Sequence, residues 1–359
     1  MENTSPNTNN FLNWVEIKNF KSIKDLRLDC KRVNVFIGKP NVGKSNILEG
    51  LGLLGVFAKS DKLFDDSIRF KDLKHLFFDN DWREPVQVSI DRRVIDLQKQ
   101  TSSEDGDYIY SVTTRSGGGL IAELEYTPAP LLAESYFLSA SGRVMKTSST
   151  TNSKPLPYKK YDFINLDAFT NSFEEFLSPP NGSNLFEVID QSDDLKNEFG
   201  QLFQQQGLDF VLSRDEQLIE LQRRNGFYVV KYPFFSIADT FRRFMFYITA
   251  IESNKNSVII FEEPEVHSFP PYTQDVAYRM IYSEENQFFV STHSPYLLQT
   301  LVSNLRDDQL NVFVTYYQNY ETKVKALTAE ELSFVQEYST DVFFNLDRFI
   351  PNAQSANPA

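Results

Sequence analysis

The chain is poor in the features that secreted, membrane and nucleic-acid-coating proteins depend on. One cysteine in 359 residues, Cys30, excludes an internal disulfide framework and fits a reducing compartment. No apolar run approaches the length of a membrane helix. Met1 to Asn10 are polar and uncharged apart from Glu2, unlike a secretory signal, so the expectation is a cytoplasmic protein with no membrane partner. Lys and Arg number 36 against 49 Asp and Glu, a net charge of −13. That balance argues against a general nucleic-acid binder, because counterion release needs clustered cations on one face. No internal repeat or sustained heptad is present. The remaining material is ordinary for a globular chain, with 41% hydrophobic and 14% aromatic residues, enough for one large α/β domain or a core domain carrying an insertion.

Within that chain, Gly38-Lys39-Pro40-Asn41-Val42-Gly43-Lys44-Ser45 matches the phosphate-loop pattern G-x-x-x-x-G-K-[ST] in full. Val33 to Ile37 before it is a β-branched and aromatic run, and Asn46 to Leu51 after it opens a helical pattern with Ile47, Leu48, Leu51, Leu54 and Phe57 on one face. In such a strand-loop-helix, successive backbone N–H groups and the helix dipole favour phosphate. Gly38 through Asn46 are therefore the candidate nucleotide contacts. Lys44 reaches the β- and γ-phosphates, and the Ser45 hydroxyl is a ligand for Mg²⁺.

Three strands, around Trp14 to Phe20, Ile23 to Leu28 and Val33 to Ile37, lead into the loop. From Pro85 the texture becomes antiparallel β, with strands at Val86 to Ile90, Tyr108 to Val112 and Leu120 to Leu124, the last two joined through Ser116 to Gly119. A polar loop at Thr147 to Pro157 precedes helical stretches at Ser172 to Leu177 and Asp193 to Gln204. A hairpin turned at Asn225-Gly226 follows, in the type I′ pattern. After it come a helix at Ala238 to Glu252, two buried strands at Ser257 to Glu262 and Gln287 to Ser291 separated by a helix from about Pro271, a hairpin at Val312 to Leu327 and a last helix at Glu330 to Tyr338. The expected division is an N-terminal lobe over 1–84, a β and helical insertion over 85–235, a C-terminal lobe over 236–350 and a disordered tail over 351–359.

The strand from Ser257 ends in Phe261-Glu262-Glu263-Pro264-Glu265. In a parallel sheet the carboxyl ends of strands gather round the ligand, so both acids are expected beside the γ-phosphate. Glu262 suits Mg²⁺ or its water, and Glu263 suits orienting or deprotonating the attacking water. The strand Gln287 to Ser291 continues into Thr292-His293-Ser294-Pro295, which sets His293 where it can sense the γ-phosphate.

Taken together, Asn19-Phe20-Lys21-Ser22, the phosphate loop, Phe261 to His267 and Ser291 to Leu298 resemble the ABC-type ATPases of the SMC/RecF/OLD group. Within it they are most similar to the stand-alone AAA15/AAA21-type ATPases often encoded in bacterial anti-phage systems. The resemblance covers roughly residues 12–80 and 180–300. It implies an α/β P-loop NTPase head: a mixed central sheet flanked by helices, with an antiparallel elaboration and a helical insert. It further implies ATP and Mg²⁺ as cofactors, Lys44 and Ser45 as Walker A, Glu262 and Glu263 as Walker B, Glu265 to His267 as the D-loop and His293 as the switch histidine. It implies head-to-tail dimerisation around two ATP molecules, an effector protein in trans such as a nuclease or toxin, and Lys21 as a residue that approaches the nucleotide. The signature segment falls at Ser236-Ile237-Ala238-Asp239-Thr240, with Ala238 where the group has glycine and Ser236 as the contact to the nucleotide of a second copy. Walker B carries Glu262 where the group has aspartate, and no glutamine matches the loop that completes the Mg²⁺ shell.

A GTP switch would carry Asn-Lys-x-Asp, and Asn254-Lys255-Asn256-Ser257 lacks the aspartate. A nuclease in cis would need a strand ending in Glu followed by Asp-x-Asp after Ser303; that pattern is not there, and Asp307-Asp308 falls in a polar loop. A scaffold with little turnover is the remaining alternative. For DNA contact, as in RecF-like repair ATPases, the candidates are Lys18, Lys21, Lys24 and Arg27, then Lys154, Lys159 and Lys160, then Arg223, Arg224, Arg242 and Arg243, each weighed against a plain solvated face.

Overall fold

The computed structural model describes residues 9–55, 63–64, 67–100, 109–116, 132–148, 156–166, 168–172, 174–337 and 342–351. Its first half contains β1 (Trp14–Phe20), β2 (Ile23–Asp29), β3 (Val33–Ile37), α1 (Lys44–Gly52), β4 (Val86–Ile90), β5 (Arg93–Gln100), β6 (Ile109–Ser116), β7 (Leu132–Leu138), β8 (Val144–Ser148) and β9 (Tyr158–Tyr161). Next come α2 (Leu185–Gln191), α3 (Asp193–Gln204), β10 (Asp209–Ser213), β11 (Leu218–Asn225), β12 (Tyr228–Pro233) and α4 (Asp239–Glu252). The last part runs through β13 (Val258–Glu262), α5 (Pro270–Tyr282), β14 (Gln287–Ser291), α6 (Pro295–Asn304), β15 (Leu310–Gln318), β16 (Glu321–Ala326) and α7 (Ala329–Glu337).

A six-stranded mixed sheet in the order β16-β15-β3-β14-β13-β9 forms the centre. All of its pairings are parallel except the β15–β16 hairpin. β3 and β14 are buried along their whole length, as the apolar runs of parallel strands require. Alternation then sorts the side chains into two cores. Val33, Val35, Ile259, Phe261 and Val290 face α4, α5 and α6, whereas Phe36, Val258, Ile260 and Phe289 face α1 and the second sheet. That second sheet is antiparallel, seven-stranded, in the order β2-β1-β4-β5-β6-β7-β8, and α1 lies between the two, packed against β1, β9, β13 and β14. The architecture is the α/β P-loop type.

Several sequence expectations change. β1 and β2 do not join β3; they belong to the antiparallel sheet, because Val15 and Ile17 pair across to β4 and bury beside α1. The 85–235 stretch contributes to both large sheets, since β9 pairs with β13 while β4 pairs with β1. No helix occupies Ser172 to Leu177 among the described residues. The hairpin loop is Gly226-Phe227, one residue later than expected, with Asn225 paired to Tyr228. Gly226 takes φ 60 and Phe227 does not have positive φ, so the turn follows the II′ rather than the I′ pattern. The expected strand at Leu120 to Leu124 and its turn from Gly117, Phe57, Lys154, the centre of the Thr147 to Pro157 loop and the tail from residue 352 lie outside the described residues. No helix among the described residues is long and apolar enough to cross a membrane.

Candidate active site

The site lies at the carboxyl ends of three adjacent parallel strands, with β14 between the phosphate-loop strand β3 and the acidic strand β13. The loop needs its glycines for space. A Cβ on Gly38 would stand 2.3 Å from the Thr315 carbonyl oxygen, and one on Gly43 would stand 2.0 Å from Thr322 Oγ1. Gly43 caps α1 at φ 101 with no side-chain hydrogen bond, which leaves the helix-start amides available to an anion. Lys44, 5% exposed, donates from Nζ to the carbonyls of Gly38 and Lys39, each at 3.0 Å. Burial lowers its ammonium below the ordinary lysine range, and the carboxylates of Glu263, Glu262 and Glu265 oppose that shift.

A cavity of about 660 Å³ opens at the loop, lined by Pro40 through Asn46 with Ser22, Arg69, Glu263, His293 and Tyr317. Glu263 enters it because its left-handed backbone, φ 45, turns the chain sharply after β13. Its N–H donates to the Ser291 carbonyl at 3.1 Å and to Ser291 Oγ at 3.2 Å, which pins the turn to β14. His293 Nε2 lies 3.3 Å from Glu263 Oε1. Burial first, then the nearby Lys44 charge, lower the His293 pKa, while Glu263 raises it. The imidazole therefore sits beside the Glu263 carboxylate with its protonated form disfavoured.

Glu262 points to the other side of the strand. Its Oε1 is 3.3 Å from Arg69 Nη2 and its Oε2 is 3.8 Å from Lys160 Nζ. Arg69 also donates to the buried Glu49 of α1 at 2.6 Å, and Lys160 pairs with Asp162. Lys21 does not line the cavity: its ammonium pairs with Glu49 and donates to the Arg69 carbonyl at 2.7 Å. A chain of alternating charges, Lys21, Glu49, Arg69, Glu262, Lys160 and Asp162, therefore runs along the base of the site. Burial raises the Asp162 carboxyl and Lys160 opposes it.

Among the other expected residues, Lys39 points away to Asp347 at 2.8 Å, and Ser236 donates to the Pro233 carbonyl at 2.7 Å on the exposed approach to α4. Ala238 has φ −56 and ψ 138, a conformation open to any residue, so this backbone does not itself demand glycine there. The basic clusters divide. Lys159, Lys160 and Arg242 are buried, which removes them as DNA contacts, and Lys18 pairs with Glu16 at 2.9 Å.

Thr322 was invisible to motif reasoning. It is fully buried on β16, donates to the Val42 carbonyl at 2.9 Å, and shares a 2.7 Å hydrogen bond with Ser22 Oγ, which also accepts from Asn46 Nδ2 at 2.6 Å. Arg69, Glu49, Lys160 and Tyr317 were missed as well, because none stands in a patterned spacing from the loop.

A glycine-lined phosphate loop, an acid at the end of a strand one removed, and a histidine on the strand between them define an ATPase of the P-loop class with the ABC-type arrangement. Residues 11–206 match the AAA ATPase domain family, and the chain belongs to it. Residues 122–299 match a second family, described as "AAA domain, putative AbiEii toxin, Type IV TA system". No curated protein matches. Among solved structures the chain is similar to an SMC head bound to the C-terminal winged-helix domain of ScpA, with 16% identity, 89% of this chain and 99% of that one covered, and a TM-score of 0.47. It is also similar to the SMC head domain from Thermotoga maritima, with 11% identity, 89% and 99% coverage and a TM-score of 0.41. A third similar structure is an Smc head with an extended coiled coil bound to the C-terminal domain of ScpA derived from Pyrococcus furiosus, with 11% identity, 91% and 98% coverage and a TM-score of 0.47.

Proposed function

We infer that this ATPase hydrolyses ATP with Glu263 as the group that orients and deprotonates water, and that its closure on a second copy gates an effector in trans. The observation that carries the reading is the convergence of Lys44, Glu263 and His293 on one cavity beside the amides that start α1. The loop amides and Lys44 hold the phosphates. His293, 3.3 Å from Glu263, flanks that carboxylate and stands ready to meet the γ-phosphate. The Ser45 hydroxyl and the Glu262 carboxylate are hard oxygen donors of the kind Mg²⁺ takes, and the Arg69 and Lys160 contacts hold the Glu262 carboxylate at the strand end. The ion would neutralise charge that develops between the β- and γ-phosphates.

Ser236 and Ala238 are exposed at the start of α4, which suits a segment that meets the nucleotide of a second copy. The effector, a nuclease or toxin, and a setting in bacterial anti-phage defence rest on the resemblance and on the second family match. The test is Glu263→Gln, assayed for hydrolysis and for assembly by light scattering. We expect hydrolysis to fall about 100-fold or more, ATP binding to persist and an ATP-dependent dimer to accumulate. Wild-type hydrolysis in the variant removes Glu263 from the mechanism, and tighter binding of GTP than of ATP overturns the choice of nucleotide.

A further inference from the structure

The turn after β13 carries a third acid that the reading above leaves without a task. Glu265 follows Pro264, whose ring fixes φ and holds the acids at 263 and 265 in a set relation across it. Glu265 Oε1 accepts a hydrogen bond from Thr292 Oγ1 at 2.8 Å and another from the backbone N–H of His293 at 2.6 Å. Thr292 Oγ1 in turn accepts from the N–H of Ser294 at 2.9 Å, and the Ser294 side chain caps α6. One carboxyl oxygen thus gathers the whole bend between β14 and α6, with His293 at its centre. The imidazole at the far end of that residue reaches Glu263. Two turns 28 residues apart are closed into a ring: Glu263 to His293 through side chains, and His293 back to Glu265 through its backbone.

The second oxygen, Oε2, is buried with no hydrogen-bond partner among the described residues. A carboxylate needed for its charge would have both oxygens matched by donors or a cation. Burial raises the Glu265 pKa, with the His293 and Thr292 hydrogen bonds opposing.

We propose that Glu265 is a positioning residue, whose single oxygen sets the backbone at His293 and so aims the imidazole at Glu263. This rests on the reading of Glu263 and His293 as the hydrolytic pair. Loss of the acceptor frees the His293 bend without touching the phosphate loop, so the loss belongs in kcat and not in KM. Because the effect passes through His293, removing both groups costs little more than removing one.

The experiment compares Glu265→Leu, Glu265→Gln, His293→Gln and the double variant E265L/H293Q in the full chain, by steady-state ATPase kinetics over pH 5.5–8.5. E265L is expected to lose about 10- to 100-fold in kcat, the range seen when a residue orienting a functional side chain is removed, with KM changed less than about twofold. E265Q keeps the acceptor oxygen and is expected to stay within about threefold of wild type, with its pH profile intact. E265L is expected to lose the limb of the profile that His293→Gln also removes. Should E265L fail to fold, Glu265→Met carries the same comparison. The proposal is overturned if E265Q is as slow as E265L, if the loss appears in KM, or if E265L and H293Q add in full. If H293Q alone hydrolyses ATP at the wild-type rate, the underlying reading of the pair falls instead.

Discussion

Thr322→Val removes one hydroxyl from a buried site and keeps its shape, so it isolates what the β16 strand does for the phosphate loop. The hydroxyl donates to the Val42 carbonyl, the peptide just before Gly43, and bonds to Ser22. The substitution leaves the Val42 carbonyl without that bond, while Ser22 retains Asn46. An orphaned buried acceptor costs about 1–3 kcal/mol, so the loop conformation should weaken by about 2 kcal/mol. If that loss falls wholly on the loop, ATP affinity drops about 30-fold, at 1.4 kcal/mol per factor of ten. If it is spread over the fold, Tm falls by about 3–5 °C instead. Calorimetric titration with a non-hydrolysable ATP analogue, together with a thermal melt, reads both. A cycle with Ser22→Ala should show coupling of about 1 kcal/mol, since the two hydroxyls share one bond. Unchanged affinity together with an unchanged Tm would refute the clamp.

His293 titrates with a lowered native pKa, so below pH 6.5 the unfolded chain binds the proton that the native chain resists. Wild-type stability should therefore fall as pH drops from 7 through 6.5, and His293→Gln should flatten that slope in melts recorded across the range. Phe261 is fully buried between Tyr161, Tyr247 and Phe288, so Phe261→Ala should destabilise the chain by about 3–5 kcal/mol in urea titrations, and a cost under 1 kcal/mol would refute its place in the core.

Much of the site was legible because its parts are local in sequence. The phosphate loop announces itself by glycine spacing, Glu262 and Glu263 by the apolar strand they end, and His293 by the next such strand. Each is set by backbone geometry over a few residues. Pro270 opens α5 one residue before the expected start at Pro271, as proline's fixed φ and missing donor favour, whereas α6, opened by Pro295, was not expected from the sequence. The Gly226 hairpin was found but misplaced by one residue, since both turn types accept glycine and only the pairing of Asn225 with Tyr228 selects between them.

By itself, then, the sequence determined the chemistry: a phosphate cradle, a pair of acids and a histidine, each on its own strand end. Tertiary structure alone decided which strands lie side by side, and with that the order β3-β14-β13, which brings His293 to Glu263. It also decided that β1 and β2 leave the central sheet, that Lys21 spends its charge on Glu49, and that Thr322 holds the loop from 280 residues away. The physical reason is range. Backbone preference and periodicity act over a turn or a strand, whereas strand order, ion pairing and buried hydrogen bonds are settled when distant segments compete for the same neighbours in the core.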